Sequence, residues 1–155
     1  MRLDEQELVR WGRRIGETID RPVVIALRGP LGAGKSVLAR AVGAGAGVTG
    51  TMPSPSYNLL LRYETGAGTA VVHLDLYRLE SPDELWELGW TQLGERGEIV
   101  LVEWPERAGD LMPPDHWVIE LSIPEGAPTL RDVEVHRVGS PPELPAFPLS
   151  LVSRG

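Results

Sequence analysis

The octapeptide Gly29-Pro30-Leu31-Gly32-Ala33-Gly34-Lys35-Ser36 constrains this chain more than any other stretch. It fits the phosphate-binding pattern G-x-x-x-x-G-K-[ST] in full, and such a pattern has meaning only between a strand and a helix. Both neighbours are present. Val23-Val24-Ile25-Ala26-Leu27 is a short apolar run of the kind that forms a strand buried on both faces, and 37–42 reads as a helix. Glycines at 29, 32 and 34 let backbone amides turn inward and approach a phosphate chain with no Cβ in the way. The N-terminus of the following helix adds its own amides and dipole. In this setting Lys35 is predicted to reach the β- and γ-phosphates and Ser36 to place its hydroxyl on Mg²⁺. Gly29, Leu31, Gly32, Ala33, Gly34, Lys35, Ser36 and Val37 are therefore the predicted nucleotide-binding residues of this segment.

Lys35 is also the only lysine in the chain, against fourteen arginines. A compact ammonium and a planar guanidinium are not interchangeable at a tight phosphate site, so a single retained lysine marks where arginine does not serve. The rest of the composition mainly excludes. At 155 residues there is room for one ordinary domain, with 1–139 taken as the domain and 140–155 as a proline-rich tail expected to hang loose rather than to dock as an extended polyproline segment. A formal net charge of -7 argues against non-specific binding of nucleic acid by this chain's own surface. The absence of cysteine excludes disulfides, thiolate metal sites and a cysteine nucleophile, and His73, His116 and His136 are too scattered to suggest a metal cluster. No apolar run approaches a membrane span, and the N-terminal residues are charged, so the expected location is cytoplasmic.

Residues 4–19 are predicted to form an amphipathic helix, with Asp4 as N-cap, Glu7 three residues on, and Leu8, Trp11, Ile15 and Ile19 at helical spacing. The glycine-rich 43–50 stretch is expected to end the second helix and to be mobile. Strands are expected at 58–63 and 70–77, joined as a hairpin. In the second, His73, Asp75 and Tyr77 share one face. A short helix opens at Ser81-Pro82-Asp83-Glu84. A further apolar strand, 99–102, runs into Glu103-Trp104-Pro105, and two antiparallel strands follow at 117–123 and 133–137. The expected fold is an α/β P-loop three-layer sandwich, its sheet parallel at the centre and antiparallel at the edges.

A P-loop needs a carboxylate from a neighbouring strand to hold the metal. Asp75, read as mid-strand on a polar face, and Glu103, at a strand's C-terminal end where open α/β sheets place ligand groups, are the two candidates. Each also has a purely structural reading: an exposed position or partner of Arg78 for Asp75, and a strand-end ion pair for Glu103. Ser54-Pro55-Ser56 reads either as a switch loop sensing the γ-phosphate or as an ordinary turn. The Asn-Lys-x-Asp segment that reads guanine cannot be written without a second lysine, so adenine is the expected base. Trp11, Trp86, Trp90 and Trp117 are most simply core or interface aromatics, although an exposed Trp86–Trp90 pair would form a docking face.

Taken in order, GPLGAGKS, SPSYNLL, HLDLYRL, ELWELG and LVEWPE resemble the TsaE (YjeE) family, small bacterial P-loop ATPases of tRNA threonylcarbamoyladenosine synthesis. The resemblance runs from about residue 28 to residue 113 and, by layout, on to residue 137. It implies ATP and Mg²⁺ as cofactors and the TsaD and TsaB proteins, which carry out the transfer to tRNA, as partners. It also implies an ATPase that supports repeated turnover without catalysing the transfer. Carried over by position, Lys35, Asp75 and Glu103 are the catalytic residues and Ser36, Asp75 and Glu103 the metal ligands. Ser56 falls in the switch position, and Trp104 matches the EWPE tryptophan beside the nucleotide. Serine stands where the family commonly has threonine at 36 and 56, and Asn58 replaces a usual threonine. Two readings from other classes stay open: a nucleotide-gated binding module, and a phosphotransferase for a small hydroxylated metabolite. Arg78 is read as packing its stem and pairing with an acid, or as an arginine finger in cis.

Overall fold

Asp4 and Glu7 cap the first helix reciprocally. The Asp4 carboxylate accepts from the Glu7 N–H at 2.8 Å, and the Glu7 carboxylate accepts from the Asp4 N–H at 2.9 Å. The computed structural model describes residues 1–50, 52, 59–66 and 68–145. In it this helix, α1 (Glu5–Thr18), follows a three-residue strand, β1 (Arg2–Asp4), that the sequence does not announce.

The strands β2 (Val23–Arg28), β3 (Leu60–Glu64), β4 (Ala70–Asp75), β5 (Ile99–Glu103), β6 (His116–Ser122) and β7 (Leu130–Val138) join β1 in one mixed sheet. Its order is β1-β7-β6-β2-β5-β4-β3. The four inner strands β6, β2, β5 and β4 run parallel, and the outer pairings β1–β7, β6–β7 and β3–β4 are antiparallel. This is the sheet expected from the apolar runs, which suit strands covered on both faces.

Two helices cover one face: α1 and α2 (Lys35–Ala46). Leu8, Trp11, Ile15, Leu38 and Val42 pack there against Ile25, Leu27, Val71, Ile99 and Leu101. The short α3 (Glu84–Glu87) and the 3₁₀ turns at Trp90–Gln92 and Pro105–Leu111 cover the other, over Val72, Leu74, Val100 and Val102. The result is a three-layer α/β fold.

The structure resolves three of the sequence readings. α2 does end within the 43–50 stretch, but four residues past Val42: Gly43 and Gly45 lie inside the helix and Gly47, in left-handed conformation, caps it. Close neighbours keep these positions glycine: Met52 lies against Gly43, and α1 lies against Gly45. A Cβ at Gly45 would overlap the Arg13 carbonyl, and one at Gly16 the Val42 carbonyl. Trp86 and Trp90 do not form an exposed pair: Trp86 is 51 % exposed, whereas Trp90 is 7 % exposed and donates its indole N–H to the Leu111 carbonyl. Finally, the start of the proline-rich segment does not hang loose. The Trp117 indole donates to the Pro142 carbonyl, the Trp11 indole donates to the Pro145 carbonyl, and Leu144 packs on the core.

Candidate functional site

The parallel strands β2, β5 and β4 end together at one edge, and the register decides what meets there. Glu103, the last residue of β5, pairs with Leu27 on one side and with Asp75, the last residue of β4, on the other. Period-two alternation puts His73 and Asp75 of β4 on the same face as Leu101 and Glu103 of β5, the face beneath α2. Asp75 is thus not mid-strand on a polar face. It closes a central strand whose other residues are all buried, and its carboxylate accepts from the Tyr77 N–H at 3.0 Å.

The glycine-rich loop leaves β2 at Arg28 and enters α2 at Lys35. Gly29, Gly32 and Gly34 all have positive φ, at 147°, 82° and 104°. At Gly29 a Cβ would also overlap the Leu121 carbonyl, so the turn needs glycine on two counts. The Ala33 N–H closes the loop on the Pro30 carbonyl at 3.1 Å. Lys35 folds back into it: its ammonium donates to the Gly29 and Pro30 carbonyls and lies 4.0 Å from the centroid of the Trp104 ring. Burial lowers the Lys35 pKa, an effect countered by the nearby charges of Glu103, Asp75 and Glu106.

Trp104 reaches this position through unusual backbone. Its φ of 59° and ψ of 52° are left-handed, and it is the single non-glycine with positive φ among the described residues. Such a conformation costs of order 1–3 kcal/mol and is kept where surroundings demand it. Here it swings the indole over Lys35 and beside the Tyr77 ring, at 4.9 Å between centroids.

Together these groups line a cleft of about 430 Å³. Of the residues singled out from sequence, Leu31, Gly32, Gly34, Lys35, Ser36, Val37, Asp75, Glu103 and Trp104 lie on its wall, together with Tyr77 and Arg78. Gly29 and Ala33 do not; Gly29 offers its carbonyl to Lys35, and the Ala33 methyl is buried in the core. Ser56 and the Ser54–Pro55–Ser56 segment lie outside the described residues.

One residue went unassigned in the sequence. His73 is 1 % exposed and its Nε2 lies 2.5 Å from a Glu103 carboxylate oxygen, Glu103 itself being 3 % exposed. A carboxylate can only accept, so the imidazole donates from Nε2. Its Nδ1 is buried with no hydrogen-bond partner among the described residues. The contact fixes one Glu103 oxygen. The available signal was the spacing, since a residue two before Asp75 in a strand must share its face.

A strand, a glycine loop and a helix, with two carboxylates on the adjoining strand ends, define an α/β protein whose cleft sits at the C-terminal edge of its parallel strands. The family model described as threonylcarbamoyl adenosine biosynthesis protein TsaE matches residues 3–131. The tRNA threonylcarbamoyladenosine biosynthesis protein TsaE of Haemophilus influenzae is 35% identical over 115 residues, covering 71% of this chain and 72% of that protein. Its namesake from Synechocystis sp. is 36% identical over 109 residues, covering 66% of each. The crystal structure of Bacillus subtilus YdiB superposes with a TM-score of 0.70 at 23% identity, covering 90% of this chain and 84% of that one, which is a likeness of fold. The chain belongs to the TsaE family, whose place is tRNA threonylcarbamoyladenosine biosynthesis. No helix among the described residues is long and apolar enough to cross a membrane.

Proposed function

We propose that the cleft binds ATP with Mg²⁺ and hydrolyses it, weakly alone, in support of repeated turnover by the complex that makes N6-threonylcarbamoyladenosine in tRNA. The partners are TsaD and TsaB, and the setting is cytoplasmic. The observation that carries this reading is the convergence of the Lys35 ammonium with the cross-strand neighbours Asp75 and Glu103 at one mouth of the glycine loop.

The donors suit magnesium. They are hard oxygens, the Ser36 hydroxyl in the first turn of α2 and the carboxylates of Asp75 and Glu103. No cage of three or more His, Cys, Asp or Glu side chains forms among the described residues. Mg²⁺ keeps several waters and takes one or two carboxylates plus substrate phosphates, so a sparse protein set fits it. When bound, the ion would neutralise charge building on the phosphate oxygens. The chain's own groups do the rest. Loop amides and the start of α2 hold the phosphates, and Lys35 exchanges its carbonyl partners for phosphate oxygens. Glu103, held by His73 through one oxygen, has the other to orient a water. Trp104 shields the Lys35 side of the cleft from solvent. A net charge of -7 leaves the grip on tRNA to the partners.

The test is thermal stability with and without Mg-ATP and Mg-GTP, followed by ATP turnover with TsaB and TsaD. Saturation near a hundredfold over Kd stabilises by about 2.7 kcal/mol, a rise of roughly 5–10 °C for a domain of this size. The expected result is a rise with Mg-ATP alone, lost in Lys35→Ala and on removing the metal with a chelator. Asp75→Ala should then fail to sustain multiple turnovers. No shift with any nucleotide, alone or with the partners, would sink the reading.

A further inference from the structure

Arg131 stands at the start of β7, far from the glycine loop in sequence and in register with Leu3 of the edge strand β1. Its guanidinium nevertheless bonds the loop from behind. Nε donates to the Ala33 carbonyl at 3.0 Å and Nη2 to the Gly32 carbonyl at 3.3 Å. Nη1 donates to the Pro128 and Leu130 carbonyls at 2.8 and 2.7 Å, which anchors the fork on its own segment. The planar fork thus ties two successive loop carbonyls to the sheet edge.

Peptide geometry gives that clasp a consequence on the other side of the loop. In a planar trans peptide the C=O and N–H point in opposite directions. Holding the Ala33 carbonyl towards the guanidinium therefore turns the Gly34 N–H away from it, to the side on which Gly34 lines the cleft. The preceding peptide is pinned at both ends, its carbonyl on Arg131 and its N–H, from Ala33, on the Pro30 carbonyl. Gly32 and Gly34 both have positive φ, and a Cβ at Gly32 would meet nothing within 4 Å, so packing does not fix the peptide plane at Gly32.

We propose that Arg131 is a positioning residue for the phosphate loop, holding the Gly34 amide aimed into the cleft before any nucleotide arrives. The inference rests on the reading of the cleft as an ATP site and adds to it the residue that preorganises the loop. A loop set in its binding geometry loses less freedom on binding than a free glycine turn, so the clasp tightens phosphate binding without touching the ligand. Lysine cannot replace it, since a single ammonium does not span two carbonyls and the anchoring pair at once.

The experiment is calorimetric titration of wild type, Arg131→Met and Arg131→Gln with Mg-ATP and Mg-ADP. It is paired with melting temperatures and the ¹H–¹⁵N resonance of the Gly34 amide in the ligand-free protein. The expected result is binding weakened about tenfold in Arg131→Met and less in Arg131→Gln, which keeps one amide donor. The Gly34 resonance should shift in both variants before ligand is added. A variant that melts lower but binds both nucleotides as wild type does would show a merely structural clasp and overturn the inference, leaving the ATP reading intact. Wild type that binds neither nucleotide, alone or with TsaB and TsaD, would overturn the ATP reading and the inference with it.

Discussion

Burial pushes the Asp75 carboxyl above its ordinary range, and the Tyr77 N–H, His73 and Lys35 pull it part of the way back against the opposing Glu103. Because the folded chain holds this proton to higher pH than the unfolded chain does, the group's contribution to stability is present at low pH. It is lost as pH rises through the raised folded value. Asp75→Asn cannot ionise, so in the ligand-free protein it should melt higher than wild type at pH 7. The advantage should shrink as pH falls through the carboxylate range, and melting curves from pH 4 to 8 check it. On the proposed ATP reading, the same variant should lose its response to Mg-ATP while gaining stability. Much at this scale was legible. Lys35 and Ser36 are named by their octapeptide, and Asp75 and Glu103 by the strands that precede them. The roles of His73 and Arg131 were not, because a contact between β4 and β5 or between β7 and the loop depends on register that no local pattern prints.

At the scale of elements, the pairing of α1 with α2 depends on residues that local propensity reads as breakers. Gly12 and Gly16 face α2, and Gly45 faces α1, each where a side chain would strike the neighbour. Glycine in a helix costs up to about 1 kcal/mol against alanine, so sequence reasoning stops α2 at Val42, short of Gly43 and Gly45. The tertiary contact overrides that preference. Gly16→Ala should therefore destabilise in spite of its better helix propensity, by about 1–3 kcal/mol from overpacking, or roughly 3–10 °C in melting temperature. A rise would show that the two helices are free to part. The capping box of α1 was readable because its whole mechanism lies within four residues. The strand β1 was not, since three residues become a strand only by pairing with β7, which comes from the far end of the sequence. The opening of the proline-rich segment reads as loose by composition and is held by two indole N–H groups from Trp11 and Trp117.

Across the whole molecule, the sheet follows from its apolar runs. Strands without polar alternation must be covered on both faces, and the two that lack it, β2 and β5, pair at the parallel centre of the sheet. That arrangement also governs when the cleft comes into being. Parallel neighbours cannot be joined by a tight turn, so β2 meets β5 by bringing Val23 to Ile99, and β5 must then accept β4 before Glu103 lies beside Asp75. Such distant pairings are slow to form and arrive late in folding. The cleft is complete only when β2, β5 and β4 have all met, because its loop and its two acids come from those three strands. Refolding followed by far-ultraviolet circular dichroism should therefore show helical signal recovering before the capacity to bind nucleotide, while at equilibrium in urea the two vanish together. A newly made chain would complete its cleft in a single late step.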